Sequence, residues 1–289
     1  MTILVEHAPA KVNLSLTVLG RRADGYHLLD SLVVFAREGD RLSFVPGKAL
    51  SLTVRGLTAK QAGPPDDNLV LKAATALAAE IPNLKLGRFT LEKRLPVAAG
   101  LGGGSSDAGA ALRLLARANR LKSGDARLQK VARRIGADVP VCVEPCTRRM
   151  RGIGELLSVP LTMPKLAAVL VNPGVAVPTR DVFAMLGLEP DGERKRAARA
   201  RALPGDRDGL IGFLTGERND LETAAIKLQP VIERVLTALR KEPGCRLARM
   251  SGSGATCFGL FSSTNAASAA ARHLSTKQPR WWVKATLFG

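Results

Sequence analysis

The sequence predicts a fold of mixed strands and helices with a boundary between two parts, the first of them rich in antiparallel strands. Three observations lead to this: short stretches that alternate apolar and polar residues, a glycine-rich loop that runs into an alanine-rich helix, and a proline-bounded segment at residues 160–164 that separates the parts. Apolar residues make up 46% of the 289 residues, which is enough to bury a core. Aromatic residues make up only 4%, so aliphatic side chains must fill that core.

Two strands are predicted at the start of the chain, at residues 2–7 and 11–19, joined around an Ala-Pro pair. The second alternates apolar and polar residues, which is typical of a half-buried strand. Lys11 and Asn13 lie on its polar face, at its beginning. A lysine in such a place is usually solvated, so its position alone does not mark it as functional.

Residues 21–28 read RRADGYHL and are predicted to form a turn, because Asp24-Gly25 is a strong turn dipeptide. The turn places Tyr26, the single tyrosine of the chain, beside His27, one of three histidines. One interpretation is a packed loop aromatic with a hydrogen-bonded imidazole. The other is a base-recognition pair, in which the phenol ring stacks on a planar base and the imidazole binds its edge.

The same patterns predict the other elements of the first part. Strands are predicted at residues 30–35, 41–45, 50–54 and 89–95. Helices are predicted at residues 69–79 after an Asp67-Asn68 cap, at 108–118 and at 125–134.

The glycine-rich loop reads AGLGGGSSDA over residues 99–108, between a strand and a helix. Glycine leaves the backbone N–H groups open to an approaching anion. We expect Ser105, Ser106 or Asp107 to cap the helix, whose N-terminus carries partial positive charge. The loop therefore predicts a phosphate-binding site rather than a flexible linker. It is not a Walker A loop, since Gly104 is followed by serine instead of lysine.

Asp138 lies in the segment IGADVPVCV, residues 135–143. A strand is expected to begin at Val139 and Pro140, since a proline holds the preceding residue extended. An aspartate in this place could simply cap a turn.

The second part is predicted to contain a strand at residues 166–171 and a helix that begins at Thr179, its expected cap, and runs to about residue 186. A further helix starts in Asn-Asp-Leu-Glu at residues 219–222, to which we assign no chemistry. Residues 249–261, RMSGSGATCFGLF, are predicted to form a strand, a turn and a strand.

Three of these segments resemble signatures of the GHMP kinases, the family of galactokinase and of homoserine, mevalonate and phosphomevalonate kinases. They are Pro-Ala-Lys-Val-Asn at residues 9–13, GLGGGSSDA at residues 100–108 and the segment at residues 249–261. The resemblance implies an α+β fold of two domains. The first, residues 1–160, would bind ATP and contain a left-handed β-α-β crossover, an exception to the usual hand. The second, residues 161–289, would be ferredoxin-like.

The resemblance also implies an ATP-dependent kinase with an alcohol as acceptor. The Asp-Gly-Tyr-His loop resembles a cytidine-recognition loop that is not general to the family. The implied small-molecule substrate is cytidine diphosphate methylerythritol, phosphorylated on its 2-hydroxyl in the non-mevalonate route to isoprenoid precursors. A homoserine-like GHMP kinase, which would not need this loop, is the alternative.

Site residues are carried over where this sequence matches the family. The implied catalytic residues are Lys11 and Asp138, the latter in a Gly-Ala-Asp-Val-Pro segment. The implied ATP-binding residues are Asn68, Pro96, Gly100, Leu101, Gly102, Gly103, Gly104, Ser105 and Ser106. The implied substrate-binding residues are Asn13, Tyr26, His27, Thr179 and Phe183, with Tyr26 and Phe183 on either side of the cytosine.

ATP and Mg²⁺ are the implied cofactors, and the protein ligand of Mg²⁺ is left unassigned. The chain departs from the family at residues 144–150, where EPCTRRM replaces two glycines and a small residue. That departure leaves the backbone contacts of this segment open, but it removes no implied catalytic group.

The chain has 43 basic and 25 acidic side chains, a formal net charge of +18. This charge admits a nucleic-acid-binding protein, but it also suits an enzyme whose substrates carry several phosphates. The densest basic stretch, residues 193–201, contains no aromatic residue for base stacking, so we expect a solvated loop or short helix. Nucleic acid is therefore not the expected partner.

The expected location is the cytoplasm. The first residues lack the pattern of a signal peptide, and no run is long and apolar enough to cross a membrane. Four cysteines are too few for a disulfide scaffold, and their spacing does not suit a zinc site. The protein is expected to be a monomer or a homodimer, a choice that the sequence leaves open.

Overall fold

The computed structural model describes residues 3–122, 124–191 and 202–289. The basic stretch at residues 193–201 lies outside the described residues. The chain divides into two compact units built from discontinuous segments. The first unit is Met1–Lys11, Glu38–Val97 and Gly102–Pro145, and the second is Val12–Arg37, Ala98–Leu101 and Cys146–Gly289. The domain division at residue 160 stays a prediction.

The first unit packs helices against a sheet. Its strands are the beginning of β1 (Leu4–Arg21), the end of β2 (His27–Pro46), β3 (Ser51–Arg55) and β4 (Gly87–Glu92). Its helices are α1 (Leu69–Glu80), α2 (Gly103–Ala118), α3 (Ala126–Ile135) and α4 (Val139–Val143).

Strand β4 lies between β2, to which it is antiparallel, and β3, to which it is parallel. Helix α1 connects β3 to β4, so this connection is a β-α-β crossover; its hand stays a prediction. Leu91 pairs with Leu42, and Phe89 pairs with Phe44, whose ring centroid lies 4.6 Å away. Because side chains alternate along a strand, these residues form one apolar face that the helices cover.

Small residues let the other helices approach α2 closely. Ala108, Ala110 and Ala111 are fully buried in the core of this unit. A side chain at Gly109 would collide with the carbonyl oxygen of Cys142 on α4. The alanine-rich sequence after the glycine loop is therefore a packing requirement of α2.

The second unit contains a four-stranded antiparallel arrangement in the order β10-β7-β9-β8. These strands are β7 (Leu166–Asn172), β8 (Cys245–Met250), β9 (Cys257–Phe261) and β10 (Trp282–Phe288). With α8 (Val231–Lys241) between β7 and β8, and α9 (Thr264–Lys277) between β9 and β10, this is the ferredoxin-like order that the resemblance implies.

The other elements of this unit are shorter. The beginning of β2 pairs with β5 (Arg148–Gly152), which pairs with β6 (Leu156–Leu157). Helices α5 (Thr179–Ala184), α6 (Arg207–Thr215) and α7 (Glu222–Leu228) precede α8. The segment that departs from the family pattern therefore ends in a paired strand.

Several predicted elements are confirmed, among them α1, α3, β7 and the strand–turn–strand at β8 and β9. The separate strands predicted at residues 2–7 and 11–19 are one strand, and those at 30–35 and 41–45 are also one. Extended backbone tolerates a proline where its missing N–H is not needed in the ladder, so Pro9 does not end β1.

Three local predictions were wrong. Helix α2 begins at Gly103 and not at Ala108. The segment after Asp138 is the helix α4 and not a strand, because a proline is accepted in the first helical turn, where its missing N–H would have no intrahelical partner. Thr179 is the first residue of α5 rather than its cap, which is Pro178.

Candidate active site

The first backbone N–H groups of α2 have no partner within the helix. Gly102 precedes the helix with φ of +58°, a conformation that glycine adopts without strain, and its carbonyl accepts the first intrahelical bond from Ser106 N–H at 2.8 Å. No side chain in the described part of the chain caps this helix, so the predicted cap by a serine or Asp107 was wrong. The N–H groups of Gly103, Gly104 and Ser105 thus lack intrahelical partners, as an anion site requires.

Lys11 and Asp138 form an ion pair beside this helix N-terminus. The Nζ of Lys11 lies 2.9 Å from Oδ2 of Asp138. The lysine side chain is 5% exposed and the aspartate side chain 37% exposed, so the carboxylate is the accessible partner. A Cβ on Gly102 would lie 3.1 Å from Cε of Lys11 and 3.9 Å from Oδ2 of Asp138, which shows how closely the pair approaches the loop.

Ser106 and Asn68 hold the neighbouring backbone. The hydroxyl of Ser106, which is fully buried, donates to the carbonyl of Pro9 at 2.7 Å and so fastens α2 to the first signature. Asn68 caps α1 by accepting the N–H of Val70 at 3.0 Å. Pro96 is half-buried, before the glycine run.

Behind the loop lies a buried ionic triad that no local sequence pattern indicates. Nζ of Lys93 contacts Oδ2 of Asp40 at 2.5 Å and Oδ2 of Asp107 at 2.8 Å, and all three side chains are at most 4% exposed. Oδ1 of Asp40 also accepts the N–H groups of Arg94 and Leu95, where β4 ends. The only available signal was two acids and a lysine at strand and helix ends, distant in sequence.

The triad contains two acidic side chains and one basic side chain. Burial acts to lower the pKa of Lys93, but the two carboxylates outweigh it and raise that pKa above its usual value. Burial raises the pKa of Asp107 to about 7, although Lys93 opposes the shift. Oδ1 of Asp107 has no partner among the described residues, which agrees with a carboxyl that carries a proton.

The raised pKa of Asp107 predicts a pH-dependent stability. Between its ordinary pKa of 3.8 and about 7, the folded state holds a proton that the unfolded chain releases. This stabilisation is complete below about pH 4 and is lost as the pH rises through about 7. Compared with Asp107→Asn, the wild type should lose free energy of unfolding across this range in urea titrations. Parallel curves for the two proteins would contradict the assignment.

In the second unit, a buried polar network joins the third signature to the glycine loop. Backbone N–H of Asn13 donates to Oγ of Ser251 at 3.1 Å, and this hydroxyl donates to the carbonyl of Gly100 at 2.8 Å. The side-chain amide of Asn13 donates to Oγ of Ser31 at 2.7 Å. A side chain at Gly100 would collide with the carbonyl of Ser251, and Leu101 is buried. Two predicted site residues, Asn13 and Gly100, are thus held by backbone and hydroxyl contacts.

The predicted base-recognition residues are also in the second unit. The rings of His27 and Phe183 stack, with centroids 4.6 Å apart and planes at 28°. Tyr26 is 57% exposed, and its N–H donates to Oδ1 of Asp24 within the turn. Thr179 lies at the start of α5 with its hydroxyl 2.8 Å from that of Ser253. The structure therefore brings His27 and Phe183 together, while Tyr26 presents its ring to solvent.

A cavity of about 400 Å³ in the second unit contains none of the predicted site residues. Its lining includes Arg149, Arg151, Leu156, Leu157, Leu161 and Leu203. Both arginines contact the buried carboxylate of Asp30, at 3.3 and 2.8 Å. Of these two arginines, Arg149 belongs to the departing segment and Arg151 follows it, so one basic residue of that segment binds this carboxylate.

The described residues contain no group of three or more His, Cys, Asp or Glu side chains arranged to hold a metal ion. The four cysteines are free thiols. Among the described helices, none combines the length and the apolar character needed to cross a membrane.

Comparison with known proteins identifies the family. The family model for the GHMP kinases N terminal domain matches residues 68–144, and the model for the GHMP kinases C terminal domain matches residues 202–280. A 4-diphosphocytidyl-2-C-methyl-D-erythritol kinase from Methylobacterium radiotolerans is 56% identical over 289 residues, and one from Xanthobacter autotrophicus is 54% identical over 291 residues. Each alignment covers 99% of both proteins.

Solved structures agree with this family assignment. The crystal structure of a 4-(cytidine 5'-diphospho)-2C-methyl-D-erythritol kinase matches with a TM-score of 0.76 and 35% identity, over 99% of this chain and 100% of that chain. The homoserine kinase of Cytophaga hutchinsonii matches with a TM-score of 0.71 over 100% of this chain and 95% of that one, but at 19% identity this shows the fold alone. The chain therefore belongs to the GHMP kinases, in the family of the 4-diphosphocytidyl-2-C-methyl-D-erythritol kinases.

Proposed function

We propose that this protein transfers the γ-phosphoryl group of ATP to the 2-hydroxyl of 4-diphosphocytidyl-2-C-methyl-D-erythritol, in the non-mevalonate route to isoprenoid precursors. The observation that carries the proposal is the Lys11–Asp138 ion pair, which lies against Gly102 at the uncapped N-terminus of α2. The relatives are named for this substrate, and membership of the GHMP kinases supports ATP as the phosphate donor.

In the proposed mechanism, the free N–H groups of Gly103, Gly104 and Ser105 bind phosphate oxygens of ATP. The accessible carboxylate of Asp138 accepts the proton of the substrate hydroxyl as its oxygen bonds to the γ-phosphorus, while the bond from that phosphorus to the β,γ-bridging oxygen breaks and ADP leaves. The ammonium of Lys11 stabilises the negative charge that develops on that oxygen. Holding the two reactants in line can remove about 7–11 kcal/mol of entropic barrier.

We propose that Mg²⁺ enters with the nucleotide as the ATP complex. Mg²⁺ in phosphoryl-transfer sites is usually held by substrate phosphates, waters and one or two protein groups. The described residues offer no dedicated metal cluster, which is compatible with a cation carried by the triphosphate. The bound ion would neutralise charge on the phosphates, and its protein ligand stays unassigned.

The proposed substrate contacts are those of Asn13, Tyr26, His27, Thr179 and Phe183. The cytosine would lie between the rings of Tyr26 and Phe183, with the imidazole of His27 on its edge. Since His27 covers one face of Phe183, the base must use the other face or displace the imidazole. The exposed ring of Tyr26 is free to stack without such a rearrangement.

Replacing Tyr26 with alanine tests this specificity. Stacking of a base on an aromatic ring is worth about 1–3 kcal/mol, so the KM of the cytidine substrate should rise about 5- to 150-fold in steady-state kinetics. The KM of ATP should stay unchanged, and Tyr26→Phe should keep the wild-type values. An equal rise of both KM values in Tyr26→Ala would argue against a role in base recognition.

The function itself is tested by phosphate transfer from ATP·Mg²⁺ to a panel of alcohols that includes the cytidine diphosphate methylerythritol and homoserine. Transfer to the cytidine compound alone is the expected result. Transfer to homoserine would favour the alternative GHMP activity, and salt-dependent DNA binding without transfer would favour a nucleic-acid-binding protein. We propose the cytoplasm as the location, to which the four free thiols are suited.

A further inference from the structure

The segment Asn219–Glu222, to which the sequence analysis assigned no chemistry, is bonded to the third signature through buried side chains. The side-chain amide of Asn219 donates to the carbonyls of Met250 and Gly252, both at 2.8 Å. Its Oδ1 accepts the N–H of Leu221 at 3.0 Å. Asn219 is 6% exposed, so both donor hydrogens and the acceptor are used away from water.

The same segment holds the third signature and β1 at other points. Glu222 accepts the N–H of Met250 at 2.8 Å, so both backbone groups of Met250 are bonded to this segment. Asp220 binds β1. Its Oδ2 accepts the N–H of Val18 at 2.9 Å, and the backbone N–H of Asp220 donates to the carbonyl of Leu16 at 2.8 Å. The segment therefore connects β1 to the third signature through hydrogen bonds.

Ser251 lies between the two carbonyls that Asn219 binds, and is fully buried. Its hydroxyl contacts Asn13 and Gly100, as described above, and its N–H donates to the carbonyl of Thr256 at 2.9 Å. Asn219 thus fixes the residue that in turn fixes one proposed substrate contact and one proposed ATP contact.

Asparagine is suited to this position because it presents two donors and one acceptor from a single planar group. Aspartate has the same size, but it would place a second oxygen against the two carbonyls. Alanine would leave both carbonyls buried without a donor.

We propose that Asn219 is a positioning residue for phosphoryl transfer, which acts through Ser251 on the placement of Asn13 and Gly100. The inference rests on the proposed function, since it concerns how the same site is held. It requires no contact between Asn219 and either substrate.

The test compares Asn219→Asp, Asn219→Ala, Ser251→Ala and the Asn219→Ala/Ser251→Ala double variant. Asn119 supplies the matched control: its side-chain amide donates to the carbonyls of Lys85 and Leu115 and accepts the N–H of Lys85 at the far end of α2. Steady-state kinetics gives kcat and both KM values. Calorimetry with a non-hydrolysable ATP analogue measures nucleotide binding to folded protein directly.

Each single variant at Asn219 or Ser251 should raise the Kd of the analogue and lower kcat/KM for both substrates at least about tenfold, the factor that 1.4 kcal/mol represents. The double variant should be no more impaired than the more impaired of the two single variants, because Asn219 acts through Ser251. Asn119→Ala should lower stability while it keeps the wild-type Kd and KM values.

Wild-type Kd and KM values in folded Asn219→Asp and Asn219→Ala would overturn the proposal, as would additive losses in the double variant. If the Asn219 variants do not fold, Ser251→Ala decides: unchanged constants there overturn the proposal as well. Analogue binding without transfer to the cytidine compound in the wild type would overturn the proposed function instead, and the binding comparison among the variants would still decide the role of Asn219.

Discussion

Asp138→Asn is expected to lower kcat by roughly two to four orders of magnitude, the range usual for removal of a general base. The amide keeps the shape of the side chain but does not accept the proton of the substrate hydroxyl. ATP binding should stay near the wild-type value, since the N–H groups at the start of α2 are untouched. Single-turnover measurements with saturating ATP would separate this chemical effect from binding.

Asp125→Asn is the matched control. Asp125 caps α3 and pairs with Arg127 at 2.6 Å, and asparagine caps helices equally well. Its kcat should therefore be unchanged. If Asp138→Asn also kept wild-type kcat, Asp138 would be removed from the mechanism.

Lys11→Met should produce a loss of similar size, because its buried ammonium pairs with Asp138 at 2.9 Å. The two changes should not add, since both residues act on the same oxygen. If kcat of the Lys11→Met/Asp138→Asn double variant fell by the product of the two single factors, the two residues would act independently.

Lys93→Met is expected to have the largest effect on stability. Removing one partner of a buried ion pair costs about 3–5 kcal/mol, because a buried charge is left without its counter-ion. Here two acidic groups, Asp40 and Asp107, the second with a pKa of about 7, would lose the same cation. Urea denaturation at neutral pH should show this loss as a fall in the midpoint with little change in slope.

Two variants sharpen the test. Lys72→Met removes a surface lysine that pairs with Asp67 at 3.3 Å, and it should cost about 1 kcal/mol or less. Adding Asp107→Asn to Lys93→Met should restore part of the stability, since it removes the ionised fraction of a buried acid that has lost its cation. No rescue, or an equal cost for the two lysine variants, would contradict the role assigned to the triad.

Much of the site follows from local sequence patterns. The glycine run predicts an anion site from backbone freedom alone, and α2 does begin inside that run, with no side-chain cap among the described residues. The alternation after Lys11 predicts a strand, and β1 contains that stretch. The resemblance to the GHMP kinases adds Asp138, which local pattern alone could only assign to a turn.

What the local patterns did not predict depends on distant partners. The strand expected after Asp138 is a helix, since Pro140 is tolerated in a first turn that packs against α2. The stacking of His27 on Phe183 joins residues 156 positions apart (183 minus 27) and could not be read from either segment. The triad of Lys93, Asp40 and Asp107 joins a strand end, a second strand and a helix.

The sequence by itself determined the anion-binding character of the glycine loop and most of the strands and helices, because glycine freedom and side-chain periodicity act over a few neighbouring positions; the resemblance to the GHMP kinases added the α+β class and the charged pair. Only the tertiary structure decided that Lys11 and Asp138 meet, that Lys93 is neutralised from two sides, and that Asn219 holds the third signature. These contacts close loops of tens to hundreds of residues, and their free energy comes from burial that exists only after the chain has folded.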